Sequence, residues 1–125
     1  MAERQLSLVS VVAPMLNEEG TALLFCDRVR TALAALPWEL VVVDDGSRDE
    51  TPAILAQIAA DDPRVKVITL SRNFGHQTAI TAGLDHAAGD AVVMIDADLQ
   101  DPPELIPTMV EHWRAGSDVV YTTRT

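Results

Sequence analysis

Short runs of apolar, mostly β-branched residues recur along the chain at Leu8 to Ala13, Leu40 to Val43, Val65 to Leu70, Ala91 to Ile95 and Val119 to Thr122. Each is bounded by polar or turn-forming residues and predicts a strand; the run at Ala91, with Gly89-Asp90 before it and Asp101-Pro102-Pro103 after it, predicts one buried on both faces. Between the runs the apolar period changes from two to about 3.6. Leu23, Cys26, Val29, Leu33 and Leu36 form one helical stripe, and Ile54, Leu55, Ile58 and Ala59 a second, with Thr51 as its cap and Pro52 at its first position. Ile80, Leu84 and Ala87 mark a third helix. Leu105, Ile106, Met109, Val110 and Trp113 mark a fourth, which Gly116 closes. Strands alternating with helices predict an α/β domain with a mostly parallel sheet flanked by helices. No internal repeat, low-complexity tract or interdomain linker interrupts the alternation. The last strand has no helix after it, so a longer parent protein is expected.

Composition narrows this frame. With 125 residues, 48% hydrophobic and 22% charged, the chain suits one domain with a real core. Its net charge of -10 argues against nucleic acid as a partner, because the summed field repels polyanions and no Lys/Arg run overcomes it locally. Cys26 is the only cysteine, which excludes an internal disulfide and leaves a small buried hydrophobe as its expected role. The start, Met1-Ala2-Glu3-Arg4-Gln5, lacks the basic stretch and apolar core of a secretory signal, and no apolar run reaches membrane-spanning length, so the chain as given is expected to be cytosolic and soluble.

The candidate chemistry lies where strands stop. Pro14-Met15-Leu16-Asn17-Glu18-Glu19 follows the first, Asp44-Asp45-Gly46-Ser47-Arg48-Asp49-Glu50-Thr51 the second, Ser71-Arg72-Asn73-Phe74-Gly75 the third and Asp96-Ala97-Asp98-Leu99-Gln100 the fourth. In an open α/β sheet ligands bind outside the carboxyl ends of the strands, so four such clusters describe one crevice. If the fourth segment stays extended, Asp96, Asp98 and Gln100 point one way while Ala97 and Leu99 face the packing. Two carboxylates ~4 Å apart repel by roughly 4 kcal/mol at an effective dielectric near 20, which calls for a cation. A hard divalent ion fits, with the Gln100 amide oxygen as a neutral ligand and open positions left for phosphate oxygens. The chemistry is that of a nucleoside diphosphate site: carboxylates for base and ribose, a metal for the pyrophosphate, and Gly46 for a tight turn beside the ligand. The G-x-G-x-x-G and Walker sequences are both absent, which disfavours ordinary dinucleotide and P-loop binding. Each cluster also has a plainer structural role. An isolated Asp-x-Asp is usually a solvated helix-capping turn, one carboxylate of Asp44 and Asp45 suits the turn backbone, Asn17-Glu18 suits a helix start, and Arg72 suits a local ion pair. His76 is close enough to the crevice to touch an acceptor but is expected in solvent, while His86 and His112 are structural.

Pro14-x-x-Asn17-Glu18-Glu19, Val43-Asp44-Asp45-Gly46-Ser47-x-Asp49-x-Thr51, Ser71-Arg72-Asn73-x-Gly75 and Asp96-Ala97-Asp98-Leu99-Gln100-Asp101-Pro102-Pro103 occur in the order and spacing of family 2 glycosyltransferases. The chain most resembles the branch containing dolichol-phosphate mannosyltransferase and bacterial polyprenyl-phosphate (bactoprenol) glucosyltransferases. The resemblance implies the Rossmann-like nucleotide-binding part of a GT-A fold over residues 1–125, with the acceptor part missing. It implies a UDP- or GDP-hexose donor lined by Pro14, Leu16, Glu18, Val43 and Asp45. Asp96, Ala97 and Asp98 then meet the nucleotide and its phosphates, with Asp96 and Asp98 at the reacting end. Asp98 and Gln100 hold Mg²⁺ or Mn²⁺, and Arg124 falls where the family has an arginine near the donor. Leu16 departs from the pattern, standing where an aromatic is common.

The function the resemblance implies is metal-dependent, inverting hexose transfer to a polyprenyl phosphate at the cytoplasmic face of the membrane. The metal would neutralise charge on the departing diphosphate, and an already anionic acceptor needs no general base. One alternative transfers to a polysaccharide or protein hydroxyl, which requires a base, and the family's usual one lies beyond Thr125. Another is a non-catalytic nucleotide-binding α/β domain like a receiver. Receivers, and phosphatases using Asp-x-Asp, place their acidic residues after the first strand, whereas here the pairs follow the second and fourth.

Overall fold

The computed structural model describes residues 5–99 and 102–115; the predicted strand at Val119 to Thr122 and the Gly116 stop lie outside them, as do Gln100 and Arg124. The elements are β1 (Val9–Met15), α1 (Ala22–Ala32), β2 (Trp38–Asp44), α2 (Thr51–Asp61), β3 (Val65–Thr69), α3 (His76–His86), β4 (Ala91–Met94), a 3₁₀ turn at Pro103–Leu105 and α4 (Ile106–Arg114). The strands form one sheet in the order β3-β2-β1-β4, and every pairing is parallel. The register sets Met15 opposite Asp44 and Asp44 opposite Thr69, so the loops leaving β1, β2 and β3 emerge side by side.

The main core lies on the face where α1, α2 and α4 pack. Val9, Val11, Ala13, Leu40, Val42, Ala91 and Val93 meet Phe25, Cys26, Val29, Leu33, Leu55, Ile106, Met109 and Val110 there. Burial pushes the Cys26 thiol up to about 11, with the nearby Arg30 charge opposing the rise. Leu23, expected in the α1 stripe, is exposed, because Ala22, Phe25, Cys26 and Val29 form the inward face instead.

The opposite face is covered by α3, whose contacts run to β1 and β2. Its inward residues are Ala79 and Gly83, whereas Leu84 of the expected stripe is exposed. A Cβ at position 83 would lie 2.4 Å from Val12 Cγ1 and 3.1 Å from Val43 Cγ2, so the helix sits too close to the sheet for a large side chain beneath it. β4 lies outside the cover of α3. The strand expected to be buried on both faces therefore buries only Ala91 and Val93, while Val92 and Met94 are 42% and 49% exposed.

Two polar clusters fasten the amino ends of the strands. Glu39, buried on β2, accepts from the Ser10 hydroxyl at 2.6 Å and the Ala88 amide at 2.7 Å and pairs with Lys66. Burial alone would raise its pKa, but these three donors outweigh it and hold the carboxyl below its ordinary value. Asp62, after α2, joins Arg64 and Arg30, each Nε at 3.0 Å, and Arg64 lies 4.3 Å over Trp38. The Arg64 guanidinium, with Arg30 behind it, holds the Asp62 carboxyl well below the usual carboxylate range.

Candidate active site

The carboxyl ends of the strands carry the loops that build the site. After β1, Asn17 takes a left-handed conformation, φ 54°, and the chain does not enter a helix until Ala22. The Glu18 carbonyl accepts the amides of Thr21 and Ala22 at 3.0 and 2.8 Å, and its carboxylate accepts the Thr21 hydroxyl at 2.8 Å. Asn17-Glu18 is thus a loop held ahead of α1, unlike the helix start those residues also suited.

After β2, Asp44 and Asp45 take different roles. Asp44 is fully buried and its Oδ1 accepts the Ser47 amide at 3.0 Å, which closes the turn. Asp45 reaches across to the loop after β3, accepting the amides of Phe74 at 2.8 Å and Gly75 at 3.1 Å, while its own amide donates to the Met15 carbonyl at 2.9 Å. One residue therefore ties three strand ends together. Between them Gly46 has φ 78°, and a Cβ there would meet the backbone of Arg72 and Asn73 at 2.4 and 2.5 Å, so the tight turn expected at Gly46 is also a close crossing of two loops. Thr51 does not cap α2. Its hydroxyl accepts the Glu18 amide at 2.8 Å, and Asp49 accepts the Thr51 amide at 2.9 Å. Arg72, expected to pair with a nearby acid, lies 4.5 Å over the Phe74 ring.

Beyond β4 the alternation lasts four more residues, with Ile95 and Ala97 buried and Asp96 and Asp98 turned outward. The chain then turns at Ala97-Asp98, and Leu99 takes φ 66°, so the segment is not extended as far as position 100. His76 is the first residue of α3, its side chain is exposed as expected, and its Nε2 lies 3.9 Å from Asp96 Oδ1.

These loops surround one cleft of about 430 Å³, lined by Pro14, Met15, Leu16, Glu18, Asp45, Asn73, Gly75, His76, Asp96, Ala97 and Asp98. Of the residues the sequence nominated, Pro14, Leu16, Glu18, Asp45, Asp96, Ala97 and Asp98 meet there. Val43 does not line it; it is fully buried, with its side chain under Gly83. Gln100 and Arg124 lie outside the described residues. Met15, Asn73 and Gly75 join from the strand-end clusters without having been given a role, and His76, weighed only as an acceptor contact, lines the cleft as well. The cleft carries the carboxylates of Glu18, Asp45, Asp96 and Asp98, and no lysine or arginine is among the described residues that line it. A polyphosphate would be repelled without an added cation. No group of three or more His, Cys, Asp and Glu among the described residues is placed to hold a metal ion alone. Two outward carboxylates, Asp96 and Asp98, still suit a hard cation whose shell a phosphate-bearing ligand completes. Among the described residues no helix is long and apolar enough to cross a membrane.

The family model described as glycosyl transferase family 2 matches residues 10–125. The chain is 51% identical over 118 residues to the uncharacterized glycosyltransferase YkcC of Bacillus subtilis (strain 168), covering 93% of this chain and 36% of that one. It is 46% identical over 118 residues to the bactoprenol glucosyl transferase of Shigella phage SfV, covering 93% and 38%. Among solved structures, the mannosyltransferase PcManGT from Pyrobaculum calidifontis, in complex with GDP-Man and Mn²⁺, superposes with a TM-score of 0.75 at 27% identity, covering 90% of this chain and 33% of that one. The chain thus spans between about a third and two fifths of the length of the relatives it matches.

Proposed function

The chain belongs to glycosyl transferase family 2 and has the GT-A architecture, and from that premise we propose that residues 1–125 are the nucleotide-sugar-binding part of an enzyme that moves a hexose from a nucleoside diphosphate onto a polyprenyl phosphate. The observation that carries the reading is the meeting of Glu18, Asp45, Asp96 and Asp98, from three separate strand ends, in one cleft. The acceptor class follows the bactoprenol glucosyl transferase named above.

In this reading Pro14, Leu16 and Glu18 line the nucleoside end, with Asp45 and Val43 behind it. Asp45 keeps lone pairs for a ligand N–H or O–H after accepting two backbone amides, because an ionised carboxylate has about four acceptor positions. By the family resemblance Ala97 would meet the pyrophosphate and Arg124 would contact the donor. Asp98 and Gln100 would hold Mg²⁺ or Mn²⁺, which would supply positive charge to the leaving diphosphate. Asp96 and Asp98 orient that end of the donor so that the acceptor phosphate attacks the anomeric carbon from the opposite face, inverting it. No protein base is needed, since a phosphate is already ionised at neutral pH. The acceptor's lipid tail calls for a membrane surface, which we take to be its cytoplasmic face.

Calorimetry with UDP, GDP and ADP, each in Mn²⁺ and in chelator, tests the proposal. The expected result is binding of UDP or GDP that chelation abolishes, with ADP much weaker. Equal binding of all three, or binding indifferent to chelator, would overturn it.

A further inference from the structure

From Leu16 to Thr21 no side chain is buried, so packing does not fix the loop that carries Glu18 into the cleft. Hydrogen bonds to the loop before α2 do. The Asn17 amide donates to Ser47 Oγ at 2.9 Å, and the Arg48 amide donates back to Asn17 Oδ1 at 2.9 Å. The Glu18 amide donates to Thr51 Oγ1 at 2.8 Å and the Glu19 amide to Asp49 Oδ2 at 3.2 Å; the Glu50 amide returns a longer bond to Glu19 Oε2. In every pair a backbone N–H of one loop meets a side-chain oxygen of the other, and donors come from both sides. The two loops are therefore locked in a single register, as strands are in a sheet, but through side chains.

Asn17, Ser47 and Thr51 are not among the residues that line the cleft, whereas Glu18 is. We infer that Asn17, Ser47 and Thr51 are positioning residues, acting through Glu18 and the adjoining Leu16 rim to set the nucleoside end of the donor site; the inference rests on the nucleotide-sugar reading. Thr51 is fully buried at the first turn of α2, so its hydroxyl is held by the helix and in turn fixes the Glu18 amide. Left-handed Asn17 turns the chain so that its amide and side chain face the same partner loop. Substrate contact thus falls to Leu16 and Glu18, and Asn17 with its partners Ser47 and Thr51 sets the geometry.

The test pairs an isosteric deletion with a conservative rescue: Thr51→Val against Thr51→Ser, and Ser47→Ala against Ser47→Thr. Amide hydrogen exchange of Asn17 and Glu18 is read by NMR without nucleotide, and dissociation constants for UDP and GDP are read by calorimetry in Mn²⁺ well below the unfolding temperature. Loss of one such bond is expected to weaken nucleotide binding about three- to tenfold. In Thr51→Val the Glu18 amide should exchange freely, and in Ser47→Ala the Asn17 amide should do so. The two rescue variants keep the hydroxyl that makes the bond and should bind within about twofold of the parent. Unchanged affinity in folded Thr51→Val and Ser47→Ala, or continued protection of the Glu18 and Asn17 amides, would overturn the inference. If Thr51→Val loses its near-UV dichroism, the partly exposed Ser47 pair carries the test. Failure of the parent chain itself to bind either nucleotide would count against the proposed function, and the exchange measurement would still decide whether the lock exists.

Discussion

Replacing Gly46 by alanine strikes the crossing on which the cleft is built. The added Cβ would lie 2.4 Å from the Arg72 carbonyl carbon, 2.5 Å from the Asn73 nitrogen and 2.9 Å from Arg72 Cα. All three are backbone atoms, so no rotamer change relieves the contact. The left-handed conformation at φ 78° adds about 1–2 kcal/mol for any residue with a Cβ. Forcing the loops apart adds about 1–3 kcal/mol, as for overpacked cores. The sum, about 2–5 kcal/mol, is a large part of the roughly 5–15 kcal/mol that stabilises an ordinary domain. The damage should also reach the cleft, because moving Arg72-Asn73 draws the Phe74 and Gly75 amides away from Asp45. Urea unfolding followed by circular dichroism measures the loss, with Gly20→Ala as the control. A Cβ at Gly20 meets nothing within 4 Å, and that variant should stay within about 0.5 kcal/mol of the parent. A Gly46→Ala loss below about 1 kcal/mol, within the ordinary range for single substitutions, would refute the reasoning.

Asp98→Ala should leave stability within about 0.5 kcal/mol, since the side chain is exposed. It should weaken Mn²⁺-dependent nucleotide binding by at least about tenfold, the scale of losses at metal-site residues; calorimetry on the folded variant checks both parts. Asp62→Asn should cost about 1–2 kcal/mol at pH 7, a figure reduced because Arg30 and Arg64 are more than a third exposed. Because the folded-state pKa of Asp62 is depressed, its contribution is complete above the unfolded carboxylate pKa near 4 and is lost as pH falls through the lower folded value. The gap between parent and variant in urea titrations should therefore be constant from pH 7 to about pH 5 and close below about pH 4. Cys26, buried and with its thiol raised to about 11, should resist iodoacetamide at pH 8 in the native chain and react readily in urea.

The strands were legible because each is a compact apolar run, and runs of this kind have few alternatives once Asp, Gly and Pro bound them. Pro14, Glu18, Asp45, Asp96 and Asp98 could be gathered on paper because a parallel sheet puts every such loop at one end. What escaped depends on distances between elements. The inward face of α3 was misread because Gly83, silent in any hydrophobic pattern, is where the helix approaches Val12 and Val43. β4 was expected to be covered on both faces because an alternation as short as Ala91 to Met94 reads like a continuous run when all four residues are apolar. Thr51 resembled a helix cap, and only the fold shows its hydroxyl spent on Glu18. Arg72 suited a local ion pair on paper, but the loop presents it to the Phe74 ring two residues on.

The central claim is that the acidic residues after separate strands meet around one divalent ion and a nucleotide. Its most direct measurement is paramagnetic broadening of the chain's amide NMR signals as Mn²⁺ is added to nucleotide-saturated protein. Signals of Leu16, Glu18, Asp45, His76 and Asp98 should broaden first and recover in chelator. Broadening centred instead on the acidic surface around Asp27, Asp61 and Asp62, or unaffected by the presence of nucleotide, would contradict it.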